Sequence, residues 1–128
     1  SWTLAHLGLA AAYYKDGKFP EAVQQYQLAT QLDPKSSIAF AGLGAARAAS
    51  GETEQGMKDL LAAIELDPNN AFPHYTLGLI YSKSKKKKDR NLAVDEFTRA
   101  IELNKTGGDF KNDDAARMIS ELKGHHKR

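Results

Sequence analysis

Residues 32–68 read LDPKSSIAFAGLGAARAASGETEQGMKDLLAAIELDP, and the segment opens and closes on one tripeptide, Leu32-Asp33-Pro34 and Leu66-Asp67-Pro68. Shifting the whole chain on itself by the same 34 residues also aligns Leu9 with Leu43 and Leu77, Gly17 with Gly51, and Ala29 with Ala63. A fixed period of this length marks stacked supersecondary units that bury a core only together. Within each period the apolar residues fall at helical spacing, broken by a Gly-containing turn halfway and by Asp-Pro at the end. Each unit is therefore predicted to be two antiparallel helices. Helices are expected near 3–16, 19–32, 37–50, 53–66, 71–84 and 90–103.

The punctuation has physical causes. Gly17 and Gly51 supply the left-handed backbone that ends a first helix, and Pro20 falls in the first turn of a second helix, where its missing N–H is not needed. Pro34 and Pro68 stop the second helices. The third period departs from the pattern: three extra residues lie between Tyr81 and Ala93, and Lys105 stands where the terminal proline is due. A last amphipathic segment, about 110–123, gathers Phe110, Ala115, Met118, Ile119 and Leu122 on one side, with Asp113, Asp114, Arg117 and Glu121 mostly elsewhere. It is expected to cap the stack. The other end has no polar cap before Trp2, and the chain begins at Ser1-Trp2 without an initiator methionine, already inside a helical pattern. Further repeats or a partner are expected to cover that end.

The residues at set offsets resemble the tetratricopeptide repeat (TPR). Repeat one supplies His6, Leu9-Ala10, Tyr13, Ala22, Tyr26, Ala29 and Pro34. Repeat two supplies Phe40, Leu43-Gly44, Arg47, Gly56, Leu60, Ala63 and Pro68, and repeat three supplies His74, Leu77-Gly78, Tyr81, Ala93, Phe97 and Ala100. Arg47 departs from the usual aromatic and is expected to weaken its local contacts. The resemblance implies an all-α fold: a right-handed superhelical α-solenoid of three helix-turn-helix repeats with a C-terminal capping helix. It would form a single domain over 1–128, with repeats at about 3–36, 37–70 and 71–105, a cap at 110–123 and a basic tail at 124–128.

The resemblance also implies a concave groove lined by the first helices, used to hold peptides or helices of partner proteins. The positions expected to line it are Leu4, Leu7, Ala11, Tyr14, Ile38, Ala41, Ala45, Phe72, Tyr75 and Leu79, with Gly8, Gly42 and Thr76 nearby. They are mostly apolar or small, and an apolar concavity marks a binding site. The expected function is that of a non-catalytic adaptor taking an amphipathic helix or extended apolar peptide from a partner protein. Some family members clamp the acidic C-termini of chaperones with lysines, an arginine and asparagines. Here the matching positions are Leu7, Ala11, Gly42, Phe72 and Thr76, none of which pairs with a carboxylate, so binding of that kind is not expected.

Composition is that of an ordinary globular chain, 128 residues with 41% hydrophobic and 27% charged, and no apolar run approaches the ~18–20 residues that span a bilayer. No cysteine is present, which excludes disulfides and thiolate metal sites and leaves the compartment open, with the cytoplasm slightly favoured. The net charge of +2 is uneven: residues 1–82 carry 5 basic and 8 acidic side chains, and residues 83–128 carry 13 and 8. The run from Lys83 to Arg90 places Lys83, Lys85, Lys86, Lys87, Lys88 and Arg90 on an expected loop. Contact with an anionic membrane, a nucleic acid or an acidic protein surface is its functional alternative to simple solvation. Self-assembly through the open N-terminal face is another alternative to the adaptor reading.

No metal, cofactor or catalytic constellation is expected. His6 and His74 share one repeat position and read as partly buried core histidines, while His125 and His126 lie in the basic tail. Gly42-Leu43-Gly44 follows no strand and lacks a third glycine, so it is not a nucleotide loop. Asp109, Asn112, Asp113 and Asp114 lack calcium-loop spacing and suit a helix start. Asn104-Lys105-Thr106 fits a glycosylation acceptor pattern.

Overall fold

The computed structural model describes residues 1–105, 108 and 110–124. Thr106, Gly107, Asp109 and the tail residues His125, His126, Lys127 and Arg128 lie outside the described residues, and the expected basic tail lies there with them. Among the described residues there are seven helices and no strand: α1 (Trp2–Lys15), α2 (Phe19–Leu32), α3 (Ser37–Ala49), α4 (Thr53–Leu66), α5 (Ala71–Ser82), α6 (Lys87–Leu103) and α7 (Asn112–Gly124). The chain divides after Pro68 into two compact units, Ser1–Pro68 with α1–α4 and Asn69–Arg128 with α5–α7.

Local chemistry sets the helix ends. Each first helix has a side-chain cap: Ser1 Oγ accepts from Leu4 N (3.3 Å), Ser36 Oγ from Ala39 N (3.1 Å) and Asn70 Oδ1 from Phe72 N (3.3 Å). Such caps satisfy donors that the helix itself leaves open. The second helices α2, α4 and α6 have none. α2 and α4 instead start one residue after Gly17-Lys18 and Gly51-Glu52, where the glycine φ values of 75° and 94° turn the chain back on itself.

In the first unit, α1 packs on α2, α3 on α4, and α2 on α3. One core cluster joins Ala10, Ala22, Tyr26, Leu43 and Ala46, with Leu7, Tyr13, Tyr14 and Val23 packed against it. The α3–α4 crossing is set by glycine: a Cβ at Gly44 would stand 2.7 Å from the Gly56 carbonyl oxygen, and one at Gly56 would stand 2.6 Å from the Gly44 carbonyl oxygen. Backbone meets backbone there, so no side chain can yield. This is the role of Gly44 in the Gly42-Leu43-Gly44 run, which lies wholly inside α3.

Two glycines compared give a prediction. Gly8 is mid-helix in α1, with nothing within 4 Å of the position a Cβ would take. Gly8→Ala should therefore stabilise the chain by up to ~1 kcal/mol through helix propensity alone. Gly44→Ala gains the same propensity but forces α3 and α4 apart, and should cost ~1–2 kcal/mol net, within the range seen for overpacking. Urea midpoints moving in opposite directions would bear this out; equal shifts would show that the crossing adapts.

In the second unit, α5 packs on α6 and α6 on α7. The core is Ala93, Phe97, Ala115 and Leu122, and Phe110, Met118 and Ile119 pack against it, so the five apolar residues expected on the cap all face one cluster. The cap helix itself starts at Asn112, two residues later than expected. Asp113 and Asp114 occupy its first turn, where negative charge favours a helix start. The buried Asn104 holds the approach to α7: its Nδ2 donates to Phe110 O (2.9 Å) and to Asn112 Oδ1 (3.1 Å), and Asn112 Nδ2 donates back to Asn104 O (3.1 Å). An amide so engaged is structural, and the acceptor pattern at Asn104 does not mark an accessible glycosylation site.

The lysine run is only partly a loop. Lys83 caps α5, Lys85 and Lys86 lie in the connection, and Lys87, Lys88 and Arg90 belong to the first turn of α6. Ser84 organises the entry, accepting from Lys86 N (3.2 Å) and donating to Asp89 Oδ2 (2.7 Å). Asp89 supplies the negative charge that a helix N-terminus favours among these cations.

Candidate functional site

The expected groove residues come from the first helices, and each unit places its own share. In the first unit Leu4 and Ile38 are 69% and 67% exposed on α1 and α3. Ala11 is exposed, and Leu7 and Tyr14 are half-buried against the core cluster. Tyr14 also meets Phe19 edge-on, with ring centroids 5.3 Å apart. Ala41 and Ala45, expected to line the groove, are buried and offer it no accessible side chain. Gly42 beside them is closed off by the Tyr26 ring, which occupies the space a Cβ would need. α3 is thus enclosed along most of its length, and Ile38 at its start is the large apolar side chain it exposes.

In the second unit the expected residues are engaged within the chain. Tyr75 stacks on Phe110 (centroids 4.3 Å, planes 8° apart) and tilts against Phe97 (5.8 Å). Burial raises the Tyr75 phenol above its ordinary value, and the Asp114 carboxylate adds to the rise. Leu79 packs on the same Phe97 and α7 cluster. Tyr75 and Leu79 are therefore half-buried against this core, and Phe110 lies over the Tyr75 ring. Phe72 is half-buried, and the buried Thr76 donates to Phe72 O (3.0 Å).

Of the basic patch, Lys83, Lys85, Lys86, Lys87 and Lys88 are exposed or half-exposed. Arg90 is half-buried and donates from Nη1 to the Lys85 carbonyl (2.7 Å), fixing the turn rather than offering a free cation.

Each hairpin also carries a polar tie between its two helices that the repeat pattern alone does not announce. His6 Nδ1 donates to Gln25 Oε1 (2.7 Å), Arg47 Nη1 to Asp59 Oδ2 (2.8 Å) and His74 Nδ1 to Glu96 Oε1 (2.8 Å). Gln25, Asp59 and Glu96 occupy one repeat position once the three-residue insertion is counted, but His6 and His74 hold one donor position and Arg47 another, so only the acceptor half recurs in the 34-residue alignment. Arg47 does not weaken its surroundings as expected: Asp59 answers it, with side chains only 15% and 9% exposed. Burial raises the Asp59 carboxyl above its ordinary value, against the opposing pull of the Arg47 hydrogen bond and charge. All three ties hold helix to helix. Among the described residues no group of His, Cys, Asp and Glu could hold a metal ion, and no helix is long and apolar enough to cross a membrane.

The sequence profile of the TPR repeat matches residues 10–51 and 46–85. No curated protein sequence matches significantly. Many solved structures share the fold. The type III secretion translocator chaperone SycD of Yersinia enterocolitica, in an alternative dimer, has a TM-score of 0.84 at 22% identity, covering 98% of this chain and 95% of that one. SycD in complex with a peptide of the translocator YopD has a TM-score of 0.80 at 24% identity, covering 98% and 96%. The TPR2B domain of yeast Sti1, in its pHsp70 complex, has a TM-score of 0.81 at 17% identity, covering 98% and 99%. With helical hairpins in 34-residue register, small residues at the crossings and this profile match, the chain belongs to the TPR repeat family of non-catalytic protein-interaction modules.

Proposed function

We propose that the chain is an adaptor that binds a helical or extended apolar segment of a partner protein on the inner stripe of its first helices, with Leu4, Leu7, Ala11 and Ile38 of the first unit as the contact residues. The observation that carries this reading is the exposure of Leu4 and Ile38, two large aliphatic side chains on the stripe that the family resemblance implies for ligands. Such side chains seat well on the apolar face of an amphipathic helix or the alternate side chains of an extended peptide. Similar structures at TM-scores of 0.80 and 0.81 were determined with a YopD peptide and as a pHsp70 complex, which supports a peptide ligand in kind. The chemistry of the stripe supports an apolar one, because Leu7, Ala11 and Phe72 offer a carboxylate nothing to pair with.

The test is a binding screen of the full chain against a displayed library of amphipathic-helical and extended peptides, followed by titration of the selected peptides. The double variant Leu4→Glu, Ile38→Glu alters two exposed positions and should keep the wild-type helical circular dichroism. Loss of hot-spot contacts of ~2 kcal/mol would weaken the selected peptides by roughly 30-fold or more. Affinity unchanged in the double variant would remove this stripe as the binding site.

A further inference from the structure

The turn between α5 and α6 sorts its side chains by charge. Lys83, Lys85, Lys86, Lys87 and Lys88 are all exposed, while Ser84, Asp89 and Arg90 are half-buried. The three half-buried residues bond to the turn itself: Asp89 accepts from Ser84 Oγ (2.7 Å), and Arg90 Nη1 donates to the Lys85 carbonyl (2.7 Å). Among the described residues none of the five lysines forms an ion pair. The helices on either side hold them in place, Lys83 as the C-cap of α5 and Lys87 and Lys88 in the first turn of α6.

These cations stand where helix electrostatics disfavours them. Lys86 is the N-cap of α6, so Lys86, Lys87 and Lys88 crowd the positive end of its dipole. α2 has one lysine at this point, its N-cap Lys18, and α4 has none; their first turns carry Glu21 and Glu54 instead. Gly17-Lys18 and Gly51-Glu52 reverse the chain in two residues, so the reversal itself does not call for the extra length of the third hairpin. Like charges at five of six successive positions also repel one another. Local rules broken together, with no ion pair or packing contact to offset them, mark a surface shaped by a ligand.

We infer that this turn docks on an anionic lipid surface, held by the joint charge of its five lysines rather than by a pocket. Lysine is a compact, strongly hydrated point charge on a flexible stem, which suits a diffuse negative potential better than a fixed, directional acceptor. The surface potential of a membrane acts on every such charge within a Debye length, so a short turn is enough. A nucleic acid fits less well, because the turn exposes no aromatic ring to stack on a base and no arginine or amide to read a base edge. A folded acidic protein also fits less well: protein interfaces are built around an apolar core and are poor in lysine, and this run exposes lysine alone. With no apolar side chain among them the lysines stay at the headgroups. No residue of the peptide stripe takes part, so the two contacts are separate.

The test is sedimentation of the full chain with vesicles at ~0.1 M salt. Wild type should sediment with phosphatidylcholine vesicles containing about one-quarter phosphatidylserine, stay in solution with phosphatidylcholine alone, and come off as salt is raised. Replacing Lys83, Lys85, Lys86, Lys87 and Lys88 together by glutamine should abolish sedimentation, at roughly fivefold in partition per lysine. Replacing the exposed Lys15, Lys18, Lys35, Lys58 and Lys111 by glutamine removes the same charge elsewhere and should leave most of the binding. Should the first variant lose helical circular dichroism, Lys85→Gln, Lys86→Gln alone, which leaves the helical residues of α5 and α6 untouched, should still weaken binding about 25-fold. Equal sedimentation of the two five-site variants would overturn the inference, since net charge alone would then be acting. So would wild type that ignores the anionic vesicles, or that duplex DNA or polyglutamate strips from them at equal charge concentration, since the turn would then belong to a nucleic acid or an acidic protein.

Discussion

Replacing Arg47 by methionine is expected to cost about 3–5 kcal/mol of stability at neutral pH, the range for breaking a buried ion pair from one side. The loss comes less from the contact than from what remains. Asp59 is 9% exposed, and without the guanidinium its carboxylate loses its hydrogen-bonded counter-charge in a place that little water reaches. The Asp59 carboxyl already sits above its ordinary value because burial outweighs the lowering by Arg47, so removing Arg47 raises it further. A carboxyl whose pKa is raised on folding contributes stability that is full below its unfolded pKa and is lost as pH rises through the folded value. The deficit of Arg47→Met should therefore be largest near neutrality and shrink on acidification as Asp59 takes up its proton. The double variant Arg47→Met, Asp59→Leu removes both charges and should recover most of the loss, because a buried pair replaced by apolar residues of similar volume is often neutral or stabilising. Urea unfolding of the three chains across pH ~4–7 measures all of this. A single variant within ~1 kcal/mol of wild type would show Asp59 reaching water, as exposed pairs do.

That pair also shows where sequence reading stops. The repeat is legible because its signals are local: helical spacing, Gly17 and Gly51 at the half-turn, and Asp-Pro at 33–34 and 67–68 set six helices close to where they are found. Arg47 reads as a defect because its partner is twelve residues away on another helix, and only the fold brings them within 2.8 Å. The expected start of α6 lies three residues late, since four lysines carry no apolar period; Ser84 and Asp89 define that end through hydrogen bonds that spacing does not reveal. For the candidate site, the pattern tells which helix stripe each residue occupies but not what else covers it. Tyr75 reads as open because Phe110 belongs to no repeat, and a period says nothing of where a non-repeating residue lies; Leu79 reads as open because α7, on whose core cluster it packs, is likewise outside the repeat. Ala41 and Ala45 are too small to reach past their neighbours. Leu4 and Ile38 remain exposed on the expected stripe.

Phe97→Ala is expected to be the other severe substitution, at about 3–5 kcal/mol, the range for deleting a fully buried aromatic ring. Phe97 is completely buried and occupies the middle of the second unit's core with Ala93, Ala115 and Leu122. Two features keep its site from collapsing around a cavity. On the α5 side the ring rests on Gly78, where an added Cβ would come within 2.7 Å of it, so that wall is bare backbone with no side chain to swing in. On the other side Tyr75 leans on it at 5.8 Å while stacked on Phe110, which is tied through its carbonyl to the buried Asn104. A wall that cannot move leaves a larger void, and the cost of a cavity grows with its residual volume. The same repeat position holds Tyr26 and Leu60 in the other hairpins, so the fold tolerates a branched aliphatic there, and Phe97→Leu should cost clearly less than Phe97→Ala. The measurement is urea unfolding, with the ring resonances of Tyr75 and Phe110 as local reporters. If Phe97→Ala costs little and those resonances shift strongly, the Tyr75–Phe110 stack has dropped into the void, and the C-terminal segment is a movable cover rather than a fixed part of this core.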